Sequence, residues 1–167
     1  IRTRSAIAAV LPVAIAAGDK VAFEVSWHGV LFARDPGGLL VKRTTETWYP
    51  NFGTVDRASY RAAYEFPAPW ILLGSGRLVD ESSSGGVKRQ VRTLDAPAHG
   101  FGFEVGKFKV VDRTFGHVVV RFGFLDDARI ADESDRNAAI TAIAGAMATY
   151  EDRFGPYPVD YLTVCTT

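Results

Sequence analysis

Hydrophobic and polar residues alternate one by one along much of the first 125 residues. In residues 21–27 every second residue is large and apolar, and in residues 58–66 the side chains of Tyr60, Ala62, Tyr64 and Phe66 fall on one face in the same way. A period of two places successive side chains on opposite faces of a strand, so both segments are predicted to be half-buried β-strands. Residues 11–15 alternate in the same way and lead into a predicted turn at Gly18-Asp19.

Turn-forming residues divide the next part of the chain into short segments. Further strands are predicted at 87–94, 101–105, 107–111 and 117–124. The loop 82–86, made of serine and glycine, is predicted to join two strands as a hairpin, and Gly74-Ser75-Gly76 interrupts an apolar strand as a bulge would. Many short strands with turn signals between them predict an antiparallel β-sandwich over residues 1–130.

The period changes after an acidic stretch at 126–135. Apolar residues then recur at spacings of three and four, which places them on one stripe of a helix. The stripe consists of Ile140, Ile143, Met147, Tyr150 and Phe154. Asp132 or Ser134 is the expected N-cap, and Gly155 suits the position after the last turn. Burial of this stripe would contribute on the order of 10 kcal/mol, so another surface is expected to cover it.

A turn at Pro156-Tyr157-Pro158 follows the helix, and an apolar strand over 159–164 follows the turn. We interpret residues 131–167 as the first helix and strand of a second domain, because a strand needs a neighbour to pair with. The stripe residues are then predicted to form inter-domain packing. The fold class predicted for the whole chain is mainly β, an antiparallel β-sandwich followed by one C-terminal α-helix and a short strand.

Composition excludes several classes of partner. The chain has 167 residues, of which 47% are hydrophobic, and its 19 basic and 19 acidic residues cancel. No run of lysine or arginine could follow a phosphate backbone, so nucleic acid is not an expected partner. No stretch is long and apolar enough to cross a bilayer, and a membrane is not an expected partner either. The single cysteine, Cys165, excludes an intrachain disulfide and leaves the compartment open.

Candidate chemistry is sparse. The three histidines, His28, His99 and His117, have no second ligand at helical spacing, so no metal site is predicted. Gly74-Ser75-Gly76 lacks the frame of a nucleophile elbow, and Cys165 has no histidine near it, so no catalytic residue is predicted. The aromatic residues Trp48, Tyr49 and Trp70 are expected to pack in the core or between domains, with a sugar or peptide platform as the alternative.

Several segments, in this order, resemble the M1-like zinc aminopeptidases of the gluzincin type. The resemblance begins with the strand, turn and strand of residues 11–29 and continues through Trp48-Tyr49-Pro50. Its most specific part is similar to the helix-to-strand junction at which the catalytic domain of that family begins. The residues of this junction are Tyr150, Glu151, Phe154, Gly155, Pro156, Tyr157 and Pro158.

The resemblance implies a β-sandwich domain and the beginning of a thermolysin-like domain. The zinc motif H-E-x-x-H of the family does not occur in this sequence, so zinc is expected in an absent catalytic domain and this chain alone is expected to be inactive. The resemblance also implies that Glu46, in roughly the right strand of the sandwich, contacts the free amine of a substrate. A peptide substrate is expected only in the full-length protein.

Three hypotheses remain open. In the first, the chain is the non-catalytic N-terminal part of an M1-like zinc peptidase; it packs against the missing catalytic domain and forms one wall of the substrate cleft. In the second, it is a self-contained β-sandwich module that binds peptide or carbohydrate. In the third, it is a scaffold from an inactive relative of the peptidases. The first hypothesis predicts a partly bare helical stripe and self-association through that stripe or the last strand.

Overall fold

The computed structural model describes residues 10–26, 28, 33–34, 40–41, 49, 57–125 and 132–166. The strands in these ranges are β1 (Ala33–Arg34), β2 (Leu40–Val41), β3 (Ala58–Pro67), β4 (Ile71–Gly74), β5 (Arg77–Ser84), β6 (Val87–Ala98), β7 (Phe103–Gly106), β8 (Phe108–Phe115), β9 (Val118–Leu125) and β10 (Tyr161–Thr166). The helix α1 spans Glu133–Phe154. The predicted fold class, mainly β with antiparallel sheets, one helix and a C-terminal strand, is confirmed for the part of the chain that is described.

The longest strand, β6, is the centre of a three-stranded sheet and pairs antiparallel with β3 and β5. Gly85 and Gly86 join β5 to β6 with φ angles of 58° and 79°, a conformation that favours glycine. The predicted hairpin is therefore confirmed, although its serines pair with β6 as part of β5 instead of forming the loop.

A first hydrophobic core lies between this sheet and the two-stranded sheet of β4 and β7. Along β3, Tyr64 and Phe66 are buried and their neighbours are exposed, which confirms the period of two. The Phe101 ring stacks on the Tyr64 ring and the Phe103 ring is tilted against it, with ring centroids 6.3 and 4.9 Å away. These contacts join the two sheets into one packed unit.

A second core lies between α1 and the sheet of β8, β9 and β10. Strand β9 is antiparallel to β8 and parallel to β10, so the C-terminal strand has a neighbour within this chain. Four alternate residues of β9 face the helix and are buried: Val118, Val120, Phe122 and Phe124. On the other strand of the hairpin, Asp112 accepts two hydrogen bonds from Arg121 at 2.8 and 2.7 Å, and these bonds lower the pKa of Asp112.

The ends of α1 match the sequence signals. Asp132 is the N-cap, and its Oδ1 accepts a hydrogen bond from the Ser134 N–H at 3.0 Å. Gly155 has a φ of 86°, and its N–H donates to the Glu151 carbonyl at 2.9 Å. None of the helical residues that the structure describes forms an apolar span of the length that a bilayer requires.

The predicted strands at 11–15 and 21–27 are wrong within the described residues 10–26. The Gly18-Asp19 turn is present, with an Asp19 N–H to Ala16 carbonyl distance of 3.1 Å, but the flanking residues form no strand ladder. Val13 and Phe23 are 74% and 62% exposed. An alternating segment can form a β-strand only where a neighbouring strand pairs with it. None of the described strands pairs with residues 10–26.

Candidate functional site

A cleft of about 570 Å³ lies beside β10, between that strand and the sheet of β4 and β7. We call it the terminal-strand cleft. Leu94, Val159 and Tyr161 contribute apolar surface to its lining, and Glu104, Thr163 and Cys165 contribute polar groups. The cleft is therefore lined by residues from both of the predicted domains.

The alternation of two short strands decides which side chains reach this cleft. In β7, Phe103 and Val105 turn into the first core, so Glu104 projects from the opposite face. In β10, Leu162 and Val164 pack toward the second core. Thr163 lies on the other face of β10, and its hydroxyl donates to the Gly74 carbonyl at 3.0 Å.

Glu104 and Cys165 face each other across the cleft wall and perturb each other's ionisation. Burial raises the pKa of the Glu104 carboxyl, and a hydrogen bond from the Cys165 thiol partly offsets this. Burial also raises the pKa of Cys165, as do the charge of Glu104 and the hydrogen bond to it. The thiol is therefore neutral at neutral pH and is not activated as a nucleophile.

Gly74-Ser75-Gly76 forms a turn that is held by backbone and side-chain hydrogen bonds. The Ser75 N–H donates to the Gly102 carbonyl at 2.9 Å, and the Gly102 N–H donates to Ser75 Oγ at 3.1 Å. Arg92 is completely buried, and its Nη1 donates to the carbonyls of Gly74 and Gly76 at 3.1 and 2.9 Å. Ser75 thus helps to hold this turn against Gly102.

Arg92 also connects β6 to the C-terminal strand. Its guanidinium lies over the Tyr161 ring, 5.8 Å from the ring centroid. Arg77 and Asp160 form an ion pair between β5 and the residue before β10. These contacts fix the C-terminal strand against the sandwich on the side opposite to α1.

The junction after α1 is held by contacts that its sequence motif supplies. Glu151 Oε1 accepts a hydrogen bond from the Tyr157 N–H at 3.3 Å, across the turn at Gly155 and Pro156. His117 Nε2 lies 2.9 Å from the Tyr157 carbonyl oxygen, and Tyr157 packs against the second core. Pro158 follows in the exposed turn and lines the terminal-strand cleft.

The predicted helical stripe divides into a buried half and an exposed half. Ile140 and Met147 are 9% and 5% exposed and pack with Ile143 on the buried face of β9. Tyr150 and Phe154 are 57% and 80% exposed, and their rings contact each other at a centroid distance of 6.2 Å. The contact of the first three residues with β9 crosses the predicted boundary between residues 130 and 131.

The predicted sandwich residues are described only in part. Glu46, Trp48 and Pro50 lie outside the described residues. Tyr49 packs against the first core, and its hydroxyl donates a hydrogen bond to Tyr60 Oη at 3.1 Å. Burial and this hydrogen bond raise the pKa of Tyr49 to about 12. Trp70 is half-buried against the same core, which is the packing position expected for it.

Sequence reasoning missed Glu104 and Arg92. A usable signal is present in each case, because a charged residue lies inside a predicted strand; Glu104 stands between two apolar neighbours, and Arg92 follows Val91. Such a residue must find a buried partner or face a cavity.

The residues that the structure describes do not fit a zinc ion. No group of three or more histidine, cysteine, aspartate or glutamate side chains lies close enough together among them. His99 Nε2 accepts a hydrogen bond from Arg57 Nε at 3.0 Å, and His117 lies at the junction on another element. No step of metal chemistry can be assigned to these side chains.

In the part of the chain that the structure describes, the fold is a mainly β unit with one helix and a parallel C-terminal strand. Solved structures to which this fold is similar include M1 zinc metallopeptidases. A mutant of a two-domain M1 zinc metallopeptidase bound to L-arginine has a TM-score of 0.60 at 21% identity, over 77% of this chain and 32% of that chain. An M1 zinc metallopeptidase from Deinococcus radiodurans has a TM-score of 0.59 at 22% identity, over 77% of this chain and 31% of that chain.

A third similar structure contains a peptide. It is a mutant M1 zinc metallopeptidase from Deinococcus radiodurans bound to a Tyr-Ser-Ala substrate, with a TM-score of 0.61 at 21% identity, over 80% of this chain and 35% of that chain. This chain therefore spans about a third of the length of these structures, and similarity at this level of identity establishes a shared fold. No protein-family model matches the sequence, and no curated protein matches it.

Proposed function

We propose that this chain is the non-catalytic N-terminal part of an M1-like zinc metallopeptidase, an aminopeptidase whose metal is bound by a catalytic domain beyond residue 167. The observation that carries the proposal is the unequal coverage of the fold match. The match takes in 77–80% of this chain but only 31–35% of the metallopeptidases. About two thirds of each of those proteins has no counterpart here, which is ample for a separate metal-binding domain.

The exposed half of the helical stripe supports a missing partner. Tyr150 and Phe154 present two adjacent aromatic rings to solvent at the end of α1. In the proposed enzyme the catalytic domain covers both rings. These two residues and the buried half of the stripe then pack between the two domains. Residues 1–130 and 131–167 are the proposed division between the sandwich and the first elements of the catalytic domain.

The open edge of β10 supports the same proposal. Among the strands that the structure describes, β10 lies at the edge of its sheet, and its sequence, Tyr161–Thr166, contains no charge, proline or glycine that would discourage pairing. Natural proteins protect such edges or cover them. We infer that the catalytic domain covers this edge and that the sandwich forms one wall of the substrate cleft, where Glu46 contacts the substrate amine.

The proposal is tested by metal analysis and hydrolysis on two proteins. The full-length protein is expected to contain one zinc per chain and to hydrolyse aminoacyl-arylamides, and residues 1–167 alone are expected to do neither. Stoichiometric zinc in the purified 167-residue chain would contradict the proposal. A full-length protein without zinc, activity or an H-E-x-x-H sequence would support the inactive scaffold instead.

The self-contained module has one observation in its favour. Ile140 and Met147 are buried by the sheet of this chain, so half of the stripe needs no further domain. A module would be monomeric in isolation and would have no zinc motif in the sequence downstream. Reading the residues encoded after Thr167 separates it from the peptidase.

A further inference from the structure

We propose that the terminal-strand cleft binds a small molecule that carries a primary ammonium group on an apolar body, with Glu104 as the counter-ion. The lining residues used here all lie in the chain described. The proposal uses Glu104 and does not use Glu46, for which the sequence predicts a contact with a substrate amine.

The size and lining of the cleft suit a small ligand. Its volume of about 570 Å³ is within the range of roughly 300–1,000 Å³ that is usual for small-molecule sites. Leu94, Pro97, Val159 and Tyr161, which are exposed or half-buried, contribute apolar surface to the lining. An apolar body would therefore replace water against these side chains and gain the free energy of their burial.

Glu104 supplies the polar group that orients such a ligand. Its Oε2 is closed to solvent and has no hydrogen-bond partner among the residues that the structure describes. A buried carboxylate oxygen without a donor is costly, and a ligand that brings a donor recovers this cost. The Cys165 thiol also contacts this carboxyl group, but a thiol is a weak hydrogen-bond donor. The carboxyl group therefore still lacks a strong donor.

The charge of Glu104 favours an ammonium over a neutral donor. Arg57 is the other charged residue in the described lining, but it is exposed, and its Nε donates to His99 at 3.0 Å. Water screens an exposed guanidinium much more than a half-buried carboxylate. The cleft therefore attracts a cation at the Glu104 end.

Two probes with the same body and different head groups test the proposal. The chain is titrated with phenethylamine and with 2-phenylethanol at pH 7.5, a working value at which the amine is charged, and amide chemical shifts follow the binding. We expect the amine to bind at least ~10-fold more tightly than the alcohol, a difference typical of one charge-assisted hydrogen bond. Binding of neither probe, or equal affinity for both, would overturn the proposal.

Two variants and one set of chemical shifts locate the site. Glu104→Gln is expected to abolish the preference for the amine, and Glu65→Gln, which changes an exposed carboxylate on β3, is expected to keep it. In the unaltered chain, phenethylamine is expected to shift the amide signals of Glu104, Thr163 and Cys165, because these residues line the cleft. An undiminished preference in Glu104→Gln, or unchanged amide signals of these residues in the presence of saturating amine, would contradict the assignment.

Discussion

Gly76 is a residue at which the backbone and its surroundings both require the absence of a side chain. Its φ is 77°, and a Cβ atom there would overlap the carbonyl oxygen of Thr93. Gly76→Ala is expected to lower the free energy of unfolding by about 2–5 kcal/mol, since the left-handed conformation and the overlap both cost energy. Urea denaturation measures this change.

The matched control is Gly85→Ala. Gly85 also has a positive φ, 58°, but a Cβ atom there would meet nothing within 4 Å. Its substitution is expected to cost only about 1–2 kcal/mol, the conformational part alone. Equal losses at Gly76 and Gly85 would show that the contact with Thr93 does not matter.

Glu104 gives a prediction with a definite pH dependence. Burial raises its folded-state pKa, so the folded chain favours the protonated carboxyl. The stability that this group contributes is present below its unfolded pKa, about 4.3, and is lost as pH rises through the folded pKa. Glu104→Gln is therefore expected to raise the free energy of unfolding at pH 7 by on the order of 1 kcal/mol and to have little effect below pH ~4.

Thermal or urea unfolding of both proteins between acid and neutral pH checks this expectation. Glu65→Gln, at an exposed position, is the control and is expected to show no such pH dependence. A Glu104→Gln variant that is less stable than the parent at pH 7 would mean that the carboxylate has a stabilising partner.

At the scale of elements, α1 shows how far a periodic pattern can be trusted. The spacing of apolar residues predicted the helix, and residue types predicted its N-cap as Asp132 or Ser134 and its end at Gly155, because these features depend on neighbours within a few residues. The same spacing predicted equal burial for Met147 and Phe154, but their side chains are 5% and 80% exposed. The difference arises because β9 underlies only the first part of the helix.

A pair of substitutions on one stripe tests this division of α1. Met147→Ala is expected to lower the free energy of unfolding by about 2–5 kcal/mol, as for other buried side chains truncated to alanine. Phe154→Ala is expected to change it by less than about 0.5 kcal/mol, because the ring is exposed. Chemical denaturation of the two variants measures both values, and similar losses would mean that Phe154 is covered in solution.

At the scale of the whole molecule, the exposed aromatic pair and the open edge of β10 predict self-association of the isolated chain. The double variant Tyr150→Ser with Phe154→Ser is expected to bind less hydrophobic dye and to contain a smaller fraction of dimer than the parent. Light scattering after size-exclusion chromatography measures the dimer.

The control for this prediction carries Val79→Ser and Val87→Ser. These valines are 47% and 45% exposed on β5 and β6, away from the helix stripe. The control variant is expected to associate as the parent does. A parent chain that stays monomeric and binds no dye at high concentration would favour the self-contained module.

The sequence by itself determined the local features of this protein. The alternation along β3 and β9, the hairpin at Gly85, the stripe on α1 and the caps at Asp132 and Gly155 follow from spacing and residue type. Each depends on interactions between residues that are close along the chain, and so each could be predicted without knowing the fold.

Only the tertiary structure decided the pairings and the cleft. Residues 10–26 carry the alternation of a strand and form none, while β10 finds a parallel partner in β9 that is about forty residues away. Glu104 and Cys165 are sixty-one positions apart and meet because β7 and β10 approach from different sheets. Long-range contacts of this kind depend on how whole sheets pack, and a local pattern of residues carries no information about that packing.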